Sequence, residues 1–183
     1  MRFLLITLII FHAITKGYSQ EGRALMLGLN PSLSVEQYYN EGEFDINVFP
    51  LSIQLSMNRH IDLRFISMVN IGIRNDQRGF ANIGIESAMP IYFKVKEDRS
   101  IPSKGFYAAP VLSIAGNKLD ENTHFGCWIE PGYQLGINER FNMIVGLQTG
   151  ATYITYNSGE ADLVYHFGLK VILGWWMNQH IKK

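Results

Sequence analysis

Large apolar side chains recur at every second residue along most of this chain. In the stretch 161–176, one parity carries Leu163, Tyr165, Phe167, Leu169, Val171, Leu173 and Trp175. The opposite parity carries Asp162, His166, Gly168, Lys170 and Gly174. A period of two residues is the period of an extended strand. The pattern therefore predicts a long β-strand with one apolar face and one polar, glycine-rich face.

Eight segments show this alternation, and short polar connections separate them. They lie near 24–39, 43–57, 60–74, 80–95, 105–116, 123–137, 140–155 and 161–176. In the second segment the apolar set moves from even to odd positions beside Pro50, which predicts a β-bulge. We expect an all-β fold, an eight-stranded antiparallel up-and-down barrel. The connections at 74–79, 117–122 and 156–161 are expected to be the longer loops, all at one end.

The first nineteen residues are interpreted as a signal peptide. Arg2 precedes the apolar stretch 3–11, and Gly17 and Ser19 are small residues at the −3 and −1 positions of a cleavage site. Residues 20–183 would then form one domain. Removal of the signal leaves 14 basic and 16 acidic residues, a net charge of about −2 that does not suggest a nucleic-acid partner. Cys127 is the one cysteine, so no internal disulfide can form.

The glycine content of the polar face indicates which side of the strands points inward. It includes Gly28, Gly72, Gly84, Gly126, Gly132, Gly136, Gly146, Gly150, Gly168 and Gly174. Glycine in a strand marks close approach, and the interior of a narrow eight-stranded barrel is crowded. The apolar face carries almost no charge, and aromatic residues gather at its two ends. Tyr39, Phe125, Tyr153 and Tyr165 mark one end, and Phe106, Phe141 and Trp175 mark the other. We therefore predict that the apolar face contacts lipid and the polar face lines the lumen.

These features resemble the small eight-stranded outer-membrane β-barrel proteins of OmpA/OmpX-type architecture. The last strand, Leu163–Trp176, looks like the C-terminal signal that barrel-assembly machinery reads, although seven residues follow it. The resemblance implies a transmembrane barrel located in the cell outer membrane. Its partners would be outer-membrane lipid and, during biogenesis, the barrel-assembly machinery.

Several ionisable residues fall on the inward, polar face. We predict a lumen polar network made of Glu36, Arg64, Glu86, Glu130, His166 and Lys170. Buried charges need partners, so Arg64 and Lys170 are expected to pair with Glu86 and Glu130. Such a network would fill the lumen, because eight strands leave little open space. The functional expectation is a non-enzymatic barrel with a plugged lumen, whose surface loops serve contact or envelope integrity.

Two other functions remain open. A lipid-modifying enzyme would need a lateral gate, and the in-strand prolines Pro31 and Pro50 are the candidates for it. His60, His124 and His166 are not followed by a serine two positions later. These histidines therefore lack the His-Ser pair of the outer-membrane deacylases. A soluble periplasmic barrel would bind an apolar ligand, with Leu163, Phe167 and Val171 lining its cavity. No cofactor and no metal site are expected, and the sequence identifies no small-molecule ligand.

Overall fold

The computed structural model describes residues 23–31, 33–34 and 40–177. The predicted signal peptide, Glu36 and Tyr39 lie outside these described residues. All the regular structure in the described part is β-strand. This part of the chain contains no helix long and apolar enough to cross a membrane.

The described residues form eight antiparallel strands, and three of these strands consist of two segments each. Their bounds are β1 (Leu25–Leu29 and Leu33–Ser34), β2 (Phe44–Asn47 and Leu51–Ser56), β3 (Asp62–Ile73), β4 (Arg78–Ala88 and Ile91–Tyr92), β5 (Gly105–Asn117), β6 (Asn122–Gly136), β7 (Phe141–Tyr156) and β8 (Ala161–Trp176). The predicted strands overlap all eight. The eighth matches the prediction at both ends, because the alternation there runs without interruption.

Each strand pairs with its neighbour in sequence, and the first pairs with the last. Met26 lies opposite Trp176 and Leu29 lies opposite Leu173, which joins β1 to β8. The sheet is therefore a closed eight-stranded antiparallel barrel, as the strand count predicts. The β7–β8 pair is the most extensive, from Phe141 opposite Trp175 to Thr155 opposite Ala161.

The prediction that the polar face points inward and the apolar face points outward is confirmed. On β8, Leu163 is 73% exposed and Leu169 is 68% exposed, whereas Lys170 is buried in the lumen. The interior is more mixed than the pattern indicated, since buried apolar side chains also point inward. These include Met26, Ile66, Val111, Ile144, Ile172 and Trp176. They help to fill the narrow interior of the barrel.

The predicted β-bulge beside Pro50 coincides with the interruption of β2. Asn47 and Ser52 are both buried, although they have opposite parity, while Val48 and Phe49 between them are both exposed. Asn47 Oδ1 accepts a hydrogen bond from the Phe49 amide at 3.1 Å. The inward face therefore shifts by one residue at this point, as the sequence predicts.

The prediction of longer loops at one end is wrong. The connections 74–77, 118–121 and 157–160 have four residues each, because the flanking strands continue further than the alternation suggested. The longest fully described connection is 93–104, at the end that also holds Leu25 and Trp176. We call this end the terminal end and the opposite one the far end. In the described part of the chain, the far end thus offers only short loops for contact with other molecules.

Candidate functional site

Hydrogen-bonded side chains close the lumen near the terminal end. Gln54 Nε2 lies 2.7 Å from Asp62 Oδ2 and 3.0 Å from Tyr92 Oη. Tyr92 donates in turn to the side-chain oxygen of Gln134. All four side chains are almost fully buried. Strands β2, β3, β4 and β6 each contribute one of them, so the cluster crosses the barrel rather than following its wall.

Lys96 extends this plug from the 93–104 connection. Its Nζ lies 3.0 Å from Asp62 Oδ1 and donates to Ser103 Oγ at 2.8 Å. It also bonds to the Ser56 hydroxyl. Lys96 is buried although it lies beyond the end of β4. The alternation could not identify it, because the connection that carries it folds back over the lumen.

Arg64 and Glu130 form the centre of the lumen. They are ion-paired, and both side chains are fully buried. Tyr107 Oη donates to Glu130 Oε1 at 2.6 Å, and Gln148 Nε2 donates to Glu130 Oε2 at 2.9 Å. The Glu130 carboxylate therefore has partners on both oxygens, which a buried charge requires.

A second ion pair joins this centre. Lys170 pairs with Glu86, and its Nζ also lies 4.0 Å from Glu130 Oε2. Gln148 Nε2 lies 3.2 Å from Glu86 Oε1 and so links the two acids. The structure thus brings four of the predicted network residues, Arg64, Glu86, Glu130 and Lys170, into one cluster. The sequence predicted ion pairs between these acids and bases from their charges. It did not predict the hydrogen bonds that Tyr107 and Gln148 make to the acids.

His166 lies beside this cluster and makes a different contact. Its ring stacks on Trp128 with 3.9 Å between centroids and 14° between planes. Trp128 Nε1 donates to Thr152 Oγ1 at 3.2 Å, which holds the indole in position. His166 Nε2 has no hydrogen-bond partner among the described residues. Glu36, the sixth predicted member, lies outside them.

A third ionic cluster lies at the far end, and the sequence did not indicate it. Arg74 bonds to Asp45 Oδ1 at 2.9 Å and to Asp120 Oδ2 at 3.0 Å. Asn82 Nδ2 donates to the other Asp45 oxygen at 2.8 Å. Arg74 immediately follows β3, where a charged residue usually faces solvent. Instead, its guanidinium group turns back over the lumen, where Asp45 faces inward.

Between the central and far-end clusters the lumen contains a cavity of about 490 Å³. Its lining includes the Glu86–Lys170 pair, the stacked Trp128 and His166 rings, and Asn82. The lumen is therefore filled in the half near the terminal end and open in the other half. The prediction that the polar network fills the lumen is therefore correct only for the half near the terminal end.

Pro31 and Pro50, the predicted gate residues, lie beside interruptions of β1 and β2. The two strands stay joined there, because the Asn30 amide donates to the Pro50 carbonyl at 2.7 Å. Pro31 lines the cavity together with Phe167, Leu169 and Val171 of β8.

The chemistry available in the described residues is that of hydrogen bonds and paired charges. They contain no group of three or more metal-ligating side chains. Cys127, an exposed thiol, lies on the outer face and away from the lumen. Comparisons of the chain with protein-family models, with curated proteins and with solved structures find no match. The geometry of the barrel is therefore the basis for any functional assignment.

Proposed function

We propose that this protein is a non-enzymatic outer-membrane β-barrel whose apolar outer face contacts lipid and whose polar interior is plugged toward the terminal end. The observation that supports it most strongly is the outer face itself. Of the outward-pointing positions of the described strands, only Arg78 at the first position of β4 carries a charge. A charge on the lipid-facing side at mid-bilayer is costly, whereas an outer face in water has no reason to avoid charges.

The aromatic residues support the same orientation. Tyr165 and Trp175 lie ten residues apart on β8 and are 58% and 47% exposed. At about 3.3 Å per residue this is about 33 Å along the strand. A tilt of roughly 40° reduces it to a height of about 25 Å, the height of the apolar band in outer-membrane barrels. Phe106 and Tyr133 add an edge-to-face pair at the terminal end, with ring centroids 4.7 Å apart.

The closed, plugged interior supports a structural rather than a conducting role. Arg64, Glu130, Gln54 and Gln134 are fully buried across the middle and the terminal half of the lumen. Gln54 bonds to Gln134 and Arg64 pairs with Glu130 across the lumen, an arrangement that obstructs a continuous aqueous path. Because the three fully described far-end connections have four residues each, we favour envelope integrity over contact through those loops.

The soluble alternative receives less support. It required Leu163, Phe167 and Val171 to line an internal cavity. Phe167 and Val171 border the lumen cavity and Leu163 does not. Leu163 and Phe167 are 73% and 68% exposed on the outer face. A barrel with this surface would present a continuous apolar patch to water, which soluble proteins avoid.

Cell fractionation with gel electrophoresis tests the proposal. The full chain should remain in the outer-membrane fraction after urea and carbonate washing. It should also migrate differently before and after boiling, since a folded membrane barrel resists detergent unfolding at room temperature. Recovery in the soluble fraction, with no change on boiling, would refute it.

A further inference from the structure

Asn82 of β4 holds a buried hydrogen-bond acceptor at the wall of the lumen cavity. The residue is 8% exposed, and its Nδ2 donates to Asp45 Oδ2 at 2.8 Å. An ionised carboxylate only accepts hydrogen bonds, so this contact fixes which end of the Asn82 amide is the oxygen. Asn82 Oδ1 has no hydrogen-bond partner, and Asn82 lines the cavity. Leaving a buried acceptor without a donor is unfavourable, so this atom calls for a donor from the cavity.

Further polar atoms without a partner lie on the neighbouring strands. The register between β3 and β4 shifts at Asn70, which lies opposite 81–82. Asn70 is 7% exposed, lines the cavity and has an unpartnered Oδ1. His124 of β6 also lines the cavity, and its Nε2 is an acceptor in one of the two neutral tautomers. Among the described lining residues, the buried atoms without a partner are thus amide oxygens and imidazole nitrogens.

The far-end cluster beside this wall carries more negative than positive charge. Asp45 and Asp120 share the guanidinium group of Arg74, so two carboxylates surround one cation. The excess continues on the exposed surface of the described far end, where five acids accompany two bases. The acids are Glu41, Asp76, Glu121, Glu160 and Asp162, and the bases are Arg78 and Lys118. An excess of carboxylates around a confined space attracts cations and opposes anions.

An ammonium group meets both requirements, since it has three donors, no acceptor and one positive charge. A hydroxyl group also donates to an amide oxygen, but it leaves the excess negative charge uncompensated. A divalent metal ion fits less well, because the described residues contain no group of three or more His, Cys, Asp or Glu side chains that could hold one. The cavity lining also includes Met68, Ala115 and Ile154, whose side chains suit an alkyl chain.

We infer that the lumen cavity binds a small aliphatic amine in its ammonium form. The ammonium group donates to Asn82 Oδ1 on the side of the cavity that faces Asp45 and Asp120, and the alkyl chain contacts Met68 and Ile154. The inference does not depend on what surrounds the barrel, because the residues that form the site face the lumen. It goes beyond the proposed structural role by assigning the barrel a ligand.

Asn82→Leu is the test variant, because it replaces the unpartnered acceptor by an apolar side chain of similar shape. Asn142→Leu is the matched control, since Asn142 is also a buried lumen asparagine but lies near the terminal end, outside the cavity lining. The barrel would be refolded in detergent micelles at neutral pH, where an aliphatic amine is protonated. Saturation-transfer difference NMR would measure Kd for n-butylammonium, 1-butanol and butyrate, which have four carbons each and differ in the head group.

We expect n-butylammonium to bind more tightly than 1-butanol and butyrate. Asn82→Leu should weaken its binding about tenfold, while Asn142→Leu leaves it unchanged. Equal binding of the three probes, or equal loss in both variants, would overturn the ammonium assignment. If Asn82→Leu does not refold, the order of the three probes in the wild type still decides. Absence of binding to a barrel that shows heat-modifiable migration would overturn the site but not the proposed function.

Discussion

Tyr107 of β5 lies directly opposite Gly132 of β6, and its ring occupies the space that a side chain at position 132 would need. The ring cannot easily move, because Tyr107 Oη is bonded to Glu130 and the residue is 1% exposed. We therefore expect Gly132→Ala to lower the free energy of unfolding by about 1–3 kcal/mol through overpacking. Urea titration of the refolded barrel in detergent micelles measures this.

Gly136→Ala is the control for that variant. Gly136 lies on the same strand and the same face, but the nearest atom to a methyl group there, Asn142 Oδ1, is 3.6 Å away. This substitution should change the free energy of unfolding by much less. Equal effects at the two positions would show that the Tyr107 ring does not make Gly132 obligatory.

Glu130→Gln should strongly destabilise the barrel. It removes the charge that compensates Arg64, and both groups are fully buried. Breaking a buried pair from one side typically costs about 3–5 kcal/mol. The matched control is Glu97→Gln, an exposed acid in the 93–104 connection. The double variant Arg64→Met/Glu130→Leu should lose less stability than Glu130→Gln, and the opposite order would contradict the explanation by an unpaired charge.

If the outer face contacts lipid, a lysine placed on it should destabilise the barrel by an amount that depends on its depth in the bilayer. Leu147 lies midway between Phe141 and Tyr153 along β7, whereas Leu163 lies near the far end of β8. Both are exposed. In lipid vesicles, Leu147→Lys should destabilise the barrel by roughly 2–4 kcal/mol and Leu163→Lys by about 0–1 kcal/mol. Similar, small effects at both sites would indicate that water surrounds this face.

Lys96→Met should release the 93–104 connection from the lumen. The variant loses the bonds to Asp62 and Ser103 and leaves the Asp62 carboxylate without its cation. We expect faster cleavage of this connection in limited proteolysis of the folded barrel. Lys94→Met removes an exposed lysine from the same connection and should leave the rate unchanged. Unchanged cleavage in Lys96→Met would mean that other contacts hold the segment.

The Glu43 carboxyl, which bonds to backbone amides at the far end, should make the stability of the barrel depend on pH. Hydrogen bonding, chiefly from the Asn40 amide, lowers the pKa of its carboxyl below the usual value, and the Asn75 amide contributes as well. A lowered pKa in the folded state stabilises the fold above the unfolded-state pKa, and this stabilisation is lost as the pH falls through the folded-state pKa. The free energy of unfolding, measured from neutral to acidic pH, should decrease in the wild type. In Glu43→Gln the decrease should be smaller. Identical pH profiles would exclude this contribution.

The local pattern predicted some of the residues of the polar network and missed others. Arg64, Glu86, Glu130 and Lys170 could be placed on the inward face because parity alone decides it. Lys96 and Arg74 could not, because both lie beyond their strands and reach the lumen only when their connections fold back over it. The pairing of Lys170 with Glu86 joins residues 84 positions apart, and no local signal encodes such a contact.

The amino-acid sequence by itself determined the eight strands, their order and the face that each presents, since a two-residue period is a property of the local chain. It also indicated the crowded interior, through glycines such as Gly132. Only the tertiary structure decided which lumen side chains meet and where the lumen keeps a cavity. These features depend on how strands from opposite sides of the barrel are aligned, and that alignment exists only once the barrel has closed.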